Sequence, residues 1–325
     1  MLIKQNPRLI SFDHHMGVAA QSVHDFFKPL RHFSKLDLIE EVLNASEAQT
    51  EAGQTVQSRL LEKQGSPLTN AAPGLQVHSP MPVFDGPFSN QCYQDRVKEA
   101  YQHWKTQSGI TTEPIIDQWA GLIFHLPYAF HAKRMCIELC WNAWTAEGKT
   151  AAILQELEID EPKPHEFEDS KDYQKARGQF LRAVGKTSVY KSFVKEKLAP
   201  ASKASSEIGN MYTCSIFTAL MSFLEETLGS EKGLSSDTLG FFAYGSGAKS
   251  KVFEGQLEAG WEEVAKGFQL QEKLNARHRL SYENYVGLHL EVLPQPVQSP
   301  AKEYALERIG KEGNQLGARY YRFAN

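Results

Sequence analysis

The sequence has few cysteines, no long apolar run and no excess of basic charge, and each shortage excludes a class of protein. Cys92, Cys136, Cys140 and Cys214 are the only cysteines in 325 residues, too few for a disulfide-built scaffold and in keeping with a reducing compartment, the cytoplasm. No segment reaches the roughly 18 consecutive apolar residues that cross a bilayer. The most apolar stretch, Cys214 to Leu224, is broken by Thr218 and Ser222. Lys and Arg number 35 against 39 Asp and Glu, a net charge of −4, so the basic footprint of a general nucleic-acid binder is missing. Met1-Leu-Ile-Lys-Gln-Asn-Pro7 has no basic region followed by an apolar one, so no signal peptide is expected. Internal repeats and low-complexity blocks are missing too. What remains is ordinary for a globular chain, with 41% apolar and 23% charged residues, in a length that suits two domains or one large α/β unit.

The pattern along the chain predicts two short strands at once, Leu2-Ile3 and Arg8 to Asp13, around the Asn6-Pro7 turn. A polar region over 32–80 follows, with one helix at Lys35 to Leu43 and a surface excursion. Ser89 is placed as the N-cap of a helix carrying Cys92, Tyr93, Val97, Ala100, Tyr101 and Trp104 on one face. Ala120 to His125 reads as a buried strand, and Pro127 as the start of a helix running to about Trp144. The Lys/Glu-rich region 145–205 reads as an exposed helical insertion. Asn210 caps a further helix with Ile216, Phe217, Leu220, Met221, Leu224 and Leu228 on its apolar face. Thr238 to Tyr244 is a strand, Gly245-Ser246-Gly247 a turn, and Val252-Phe253 the next strand. The tail from Glu262 reads as helix and then loop. This order predicts a layered α/β fold.

Few residues carry chemistry by themselves. His125 stands at the C-terminal end of a buried strand, where open α/β sheets place reactive groups. Asn210 precedes an apolar helix and its free N–H groups. Tyr244-Gly-Ser-Gly-Ala248 fails the patterns of the nucleophile elbow, the phosphate loop and the dinucleotide fingerprint, which leaves a tight turn with exposed N–H groups and one hydroxyl. Cys136 and Cys140, four apart, lack the further ligands of a zinc site, so they read as core and no metal is expected. Cys92 and Cys214 lie early in helices, where the dipole lowers a thiol pKa, but both fit buried faces. His14-His15 reads as solvated surface.

Taken together, Asp85-Gly-Pro-Phe-Ser-Asn-Gln-Cys-Tyr93, Phe124-His-Leu-Pro-Tyr128, Ile208-Gly-Asn-Met-Tyr-Thr-Cys-Ser215 and Phe242-Ala-Tyr-Gly-Ser-Gly247 resemble the hydroxymethylglutaryl-CoA synthase family, in its bacterial form. The resemblance implies a thiolase-like fold, with residues 1–80 ending the N-terminal half and 81–325 forming the C-terminal half with a helical insertion at about 150–205. It implies condensation of acetyl-CoA with acetoacetyl-CoA in the mevalonate route to isoprenoids, without a cofactor and through an acyl-cysteine. His125 takes the place of the catalytic histidine, and Ser89, Asn210 and Ser246 take substrate-binding places. The family's Ala-Cys nucleophile, its acid/base Glu and the Gly-Asn…Pro-Thr-Gly-Gly stretch have no match here, and Cys92 matches a noncatalytic position. A lysine that contacts CoA in some members is Phe130 here, with Lys133 three residues on. The implication is that Met1 is an internal methionine, that the chain by itself is inactive, and that an apolar face is exposed. The alternatives are a polyketide-pathway relative acting on acyl-carrier-protein substrates, or a non-catalytic acyl-CoA-binding subunit that pairs with a separate N-terminal half. A completed molecule would be a homodimer.

Overall fold

The computed structural model describes residues 3–35, 38, 41, 74–78, 81–110, 115–230, 233–290, 292–293 and 296–325. The chain forms two units, Met1–Leu274 and Asn275–Asn325. The first is built on a mixed four-stranded sheet. Its first strand, β1 (Ile10–Ala20), lies at one edge. Leu2 and the helix Lys35 to Leu43 fall wholly or mainly outside the described residues. The pairing partner of β1 is a strand more than 200 residues later in the chain, not the hairpin neighbour expected from sequence. Short strands β2 (Phe26–Phe27) and β3 (Leu30–Ser34) pair with β5 (Val83–Phe84) and β4 (Gly74–His78) respectively.

Helix α1 (Gly86–Gln107) begins before Ser89, which corrects the expected cap. Asp85 accepts from the Phe88 N–H at 3.1 Å and Pro87 occupies the first turn, where its missing N–H costs nothing. The predicted apolar face is the buried one, from Cys92 to Trp104. It lies on β1 at Gly17, where a Cβ would stand 1.9 Å from the Ala100 carbonyl oxygen. His103 Nδ1, accepting from the Val18 N–H at 2.9 Å, locks helix and strand together.

A short helix α2 (Ile115–Gln118) leads into β6 (Gly121–Phe124), every residue of which is buried. Helix α3 (His131–Ala146) starts four residues after Pro127 rather than at it, because Pro127 to Phe130 forms a turn. Helices α4 (Ala151–Glu156), α5 (Ser170–Val184), α6 (Ser188–Phe193) and α7 (Ala199–Ile208) make up the region expected to be an exposed insertion. That expectation is corrected: Phe180, Val184, Tyr190 and Leu198 belong to the main core. Charge dominates the composition here, but apolar residues four apart on α5 still make one buried stripe, and Phe180 meets Trp141 edge-on at 4.8 Å.

Helix α8 (Ser215–Leu228) buries Ile216, Leu220 and Phe223, the last directly over Gly121. Strands β7 (Thr238–Gly245) and β8 (Lys249–Leu257) form the expected hairpin. The sheet order is β1-β8-β7-β6, with β6 and β7 parallel and the other pairs antiparallel. Phe124 stacks on Phe242 at 4.3 Å across the parallel pair. Short helices α9 (Trp261–Ala265) and α10 (Leu270–Asn275) follow.

In the second unit, α11 (Tyr282–His289) precedes an antiparallel hairpin, β9 (Glu303–Ile309) with β10 (Arg319–Ala324). A loop was expected for these last residues. The three glycines at 310, 313 and 317 obscure the flanking strand patterns, yet they serve the turn: Gly313 and Gly317 have positive φ, a conformation open to glycine.

Candidate functional site

The first turn of α1, the C-terminal end of β7 and the β7–β8 turn meet at one carboxylate, carried on the loop after β1. Asp25 is fully buried. Its Oδ2 accepts from the Tyr244 hydroxyl at 2.7 Å and from the Ser89 hydroxyl at 3.4 Å, and its Oδ1 accepts from the Gly247 N–H at 2.7 Å. A buried carboxylate is tolerated when donors surround it. Asp25 therefore joins the first turns of α1 to the β7–β8 turn. That turn is also sewn to the end of β1, through Val23 N–H to Gly247 O at 2.7 Å and paired bonds between Gln21 and Ala248. Arg96, buried on α1, donates to the Gln21 side chain and to Glu99. Ser246 is exposed at the tip, beside a shallow cavity of about 330 Å³ lined by Gln21, Ser22, Gly247 and Lys249 among others.

His125 extends the parallel pairing by one residue, its N–H donating to Phe242 O at 2.8 Å. Its own carbonyl accepts from the Tyr93 hydroxyl at 2.9 Å. The ring is half-buried and its pKa is lowered by burial, with a hydrogen bond to the Tyr212 backbone pulling the other way. Asn210, exposed, accepts from the Tyr212 N–H at 2.8 Å. It thus closes a turn over Met211 just before the 3₁₀ segment Tyr212–Cys214, and does not cap α8 as expected. Ser215 bonds both the N–H and the carbonyl of Leu126 at 2.8 Å, fixing the chain just past His125.

Tyr93 is the hub between the two groups. Its ring lies 4.5 Å from Tyr244 and 4.1 Å from His131. Burial raises the pKa of both tyrosines, so both remain neutral donors. His131 is buried edge-on between Tyr93 and Tyr128, with neither ring nitrogen hydrogen-bonded, and burial first, then the charge of His125, depresses its pKa to about 3.

The structure thus gathers Ser89 and the Ser246 turn on Asp25, and ties Asn210 to His125 through Tyr212. Asp25 and Tyr244 were not singled out from sequence. Tyr244 stood inside a quoted motif, but nothing local marks Asp25, whose partners lie 64 to 222 residues away in the chain. Cys92 is buried, and burial and the Asp25 charge raise its pKa, the reverse of a dipole-activated thiol. Cys136 and Cys140 are buried with their sulfurs 3.3 Å apart, and burial pushes the Cys140 thiol well up. A larger cleft of about 700 Å³ between Asp117, Trp144, Lys149 and Phe193 offers little to a ligand. Its polar groups serve one another: Trp144 and Lys149 donate to Asp117, and Ser188 to Glu156. Among the described residues no helix is long and apolar enough to cross a membrane.

Fold and site together define an α/β protein of thiolase-like architecture. A profile described as the hydroxymethylglutaryl-coenzyme A synthase C terminal matches residues 73–293, more than half of the chain, and the chain belongs to that family. The hydroxymethylglutaryl-CoA synthase of Haloferax volcanii is 25% identical over 215 residues, 66% of this chain and 47% of the relative. That of Enterococcus faecalis is 25% identical over 214 residues, 66% and 43%. The aligned region thus spans about half the length of these curated relatives. MvaS in complex with 3-hydroxy-3-methylglutaryl coenzyme A superposes with a TM-score of 0.60 at 20% identity, over 98% of this chain and 59% of that one. The curacin-pathway HMG synthase in complex with holo donor-ACP gives 0.57 at 15%, over 98% and 58%.

Proposed function

We propose that this chain supplies the acyl-thioester-binding half of a hydroxymethylglutaryl-CoA synthase reaction, in which an acetyl group on an enzyme cysteine adds to the ketone of acetoacetyl-CoA. The observation that carries this reading is the single carboxylate of Asp25 tying Ser89 to the Ser246 turn, next to Tyr93 and His125. On this reading the hydrogen bond to Tyr212 fixes one ring nitrogen of His125 and leaves the other for the ketone oxygen. The family's acid/base Glu takes a proton from the acetyl methyl group, and as the resulting carbanion forms the new C–C bond the ketone becomes an alkoxide. The imidazolium of His125, made more acidic by burial, gives that oxygen its proton. Asn210 and the exposed hydroxyl of Ser246 hold the thioester. Water then hydrolyses the enzyme thioester and frees the cysteine. No cofactor enters beyond the two acyl-CoA substrates.

The cysteine and the acid/base Glu belong to the N-terminal half of the family's fold, whose motifs have no match in these 325 residues, and the completed molecule closes as a homodimer. The chain by itself therefore binds acetoacetyl-CoA but does not turn it over. Calorimetric titration with acetoacetyl-CoA should give saturable binding, weakened in N210A and S246A. Failure to saturate sinks the reading, and so does formation of product from acetyl-CoA and acetoacetyl-CoA by this chain alone.

One observation favours a carrier-protein substrate. Phe130, 71% exposed, stands where some relatives have a CoA-contacting lysine. Against it, the Lys133 ammonium lies 5.2 Å over the Phe130 ring and restores a cation there. Comparing acetoacetyl-CoA with the acetoacetyl-loaded carrier protein decides between the mevalonate and polyketide forms: the CoA reading requires that K133A weaken CoA-ester binding.

A further inference from the structure

We propose that Asp13, His14 and His15 form a binding site for one late first-row divalent metal ion, of the Zn²⁺ type. The three are consecutive in β1, and in a regular strand His14 would point away from its neighbours. The ladder prevents that. Phe12 pairs with Gly255 and Met16 with Phe253, so three residues stand opposite Glu254 alone. Such a bulge re-aims side chains, and here it brings all three to one place. His14 Nδ1 lies 3.1 Å and His15 Nδ1 3.0 Å from the same oxygen, Asp13 Oδ1.

The imidazole centroids are 3.9 Å apart, and one donor atom from each residue falls within a 4.8 Å cluster. Around a tetrahedral ion with bonds of about 2.0–2.1 Å, ligand atoms sit roughly 3.3 Å apart, so the observed spacing needs only a small outward adjustment. The Asp13 carboxylate is already oriented, since its Oδ1 also accepts from the His15 N–H at 2.9 Å. Two imidazoles and one carboxylate are a donor set suited to zinc, copper or nickel rather than to calcium or magnesium. Side-chain exposures of 40% for Asp13, 85% for His14 and 36% for His15 leave the remaining position open to water. The bulge lies on the edge strand and shares no residue with the Asp25–His125 site, so the inference stands apart from the proposed reaction.

The test uses the tag-free full chain. Titration with Zn²⁺ by calorimetry should give one ion per chain, and Co²⁺ should give the visible absorption of a tetrahedral or five-coordinate complex. D13N and H15A should each weaken binding by roughly tenfold or more, and H14A by less, since His14 is the most exposed ligand. C214S and H278A should bind like the unaltered chain. The three residues are at the surface, so circular dichroism of the variants should be unchanged. The proposal is overturned if the unaltered chain shows no saturable one-to-one binding, or if the triple variant D13N/H14A/H15A binds Zn²⁺ as tightly as the unaltered chain.

Discussion

Asp25 concentrates in one side chain most of what holds the candidate site together. Its three donors come from α1, from β7 and from the β7–β8 turn. Asp25→Asn keeps the shape but sets an amide N–H₂ against a donor. The expected cost is about 2–3 kcal/mol in urea denaturation, with loss of acetoacetyl-CoA binding as the turn loosens; unchanged stability would show that the buried carboxylate is dispensable. His131 poses a different question, since its ring has no polar partner. Its folded pKa of about 3 lies below the usual histidine value near 6.5. Between those limits the unfolded chain takes up a proton that the folded chain refuses. Stability should therefore be full above pH 6.5 and fall on acidification toward pH 3, with a slope of up to about 1.4 kcal/mol per pH unit from this group. His131→Phe keeps the edge contacts with both tyrosines and should flatten that slope in urea titrations run at several pH values. His125, Asn210 and Ser246 were legible in sequence because each sits in a short motif at the end of a patterned element. Asp25 was not, because its role exists only once distant segments meet.

At the scale of elements, amphipathic periodicity located α1 and α8, a short run of apolar residues located β6, and two apolar segments around Gly245-Ser246-Gly247 located the β7–β8 hairpin, because each signal is written locally. Their starts were harder to read. Asp85 and Ser89 are both good caps by composition, and only the backbone shows that Asp85 accepts the Phe88 N–H. The region 145–205 misled for a related reason. Its charges describe the solvated face, while the buried face rests on a few residues such as Phe180 and Tyr190. Phe180→Ala should therefore cost about 3–5 kcal/mol in chemical denaturation; an exposed insertion would lose almost nothing. The contact of β1 with α1 makes the complementary prediction. A methyl group at Gly17 would overlap the Ala100 carbonyl and the start of the Trp104 side chain, and backbone cannot swing aside as a side chain can. Gly17→Ala should lower stability by about 3 kcal/mol or abolish folded yield, read by thermal melting. The same substitution at Gly245, with no atom within 4 Å, should cost far less.

For the whole molecule, the deciding feature is apolar surface beside the site. The pairing of β2 with β5 brings Phe26 and Phe27 alongside Phe84 and Val83. Phe84 is 59% exposed, Met81 72% and Phe88 45%. Single exposed apolar residues are common on soluble proteins, but a group this close together usually marks a surface that is covered in the working state. The family resemblance implies an exposed apolar face; the grouping of these particular side chains depends on the β2–β5 pairing, which no local sequence pattern marks. Burying the exposed part of one phenylalanine is worth about 2 kcal/mol, which alone shifts a dissociation constant by roughly 10- to 100-fold. The purified chain should therefore bind the dye ANS and sediment above its monomer mass as its concentration rises. Phe84→Ser should weaken both responses without changing the far-ultraviolet spectrum. Sedimentation as a monomer at every concentration, with no dye binding, would mean that these side chains are satisfied in water, and that the β2–β5 surface needs no partner.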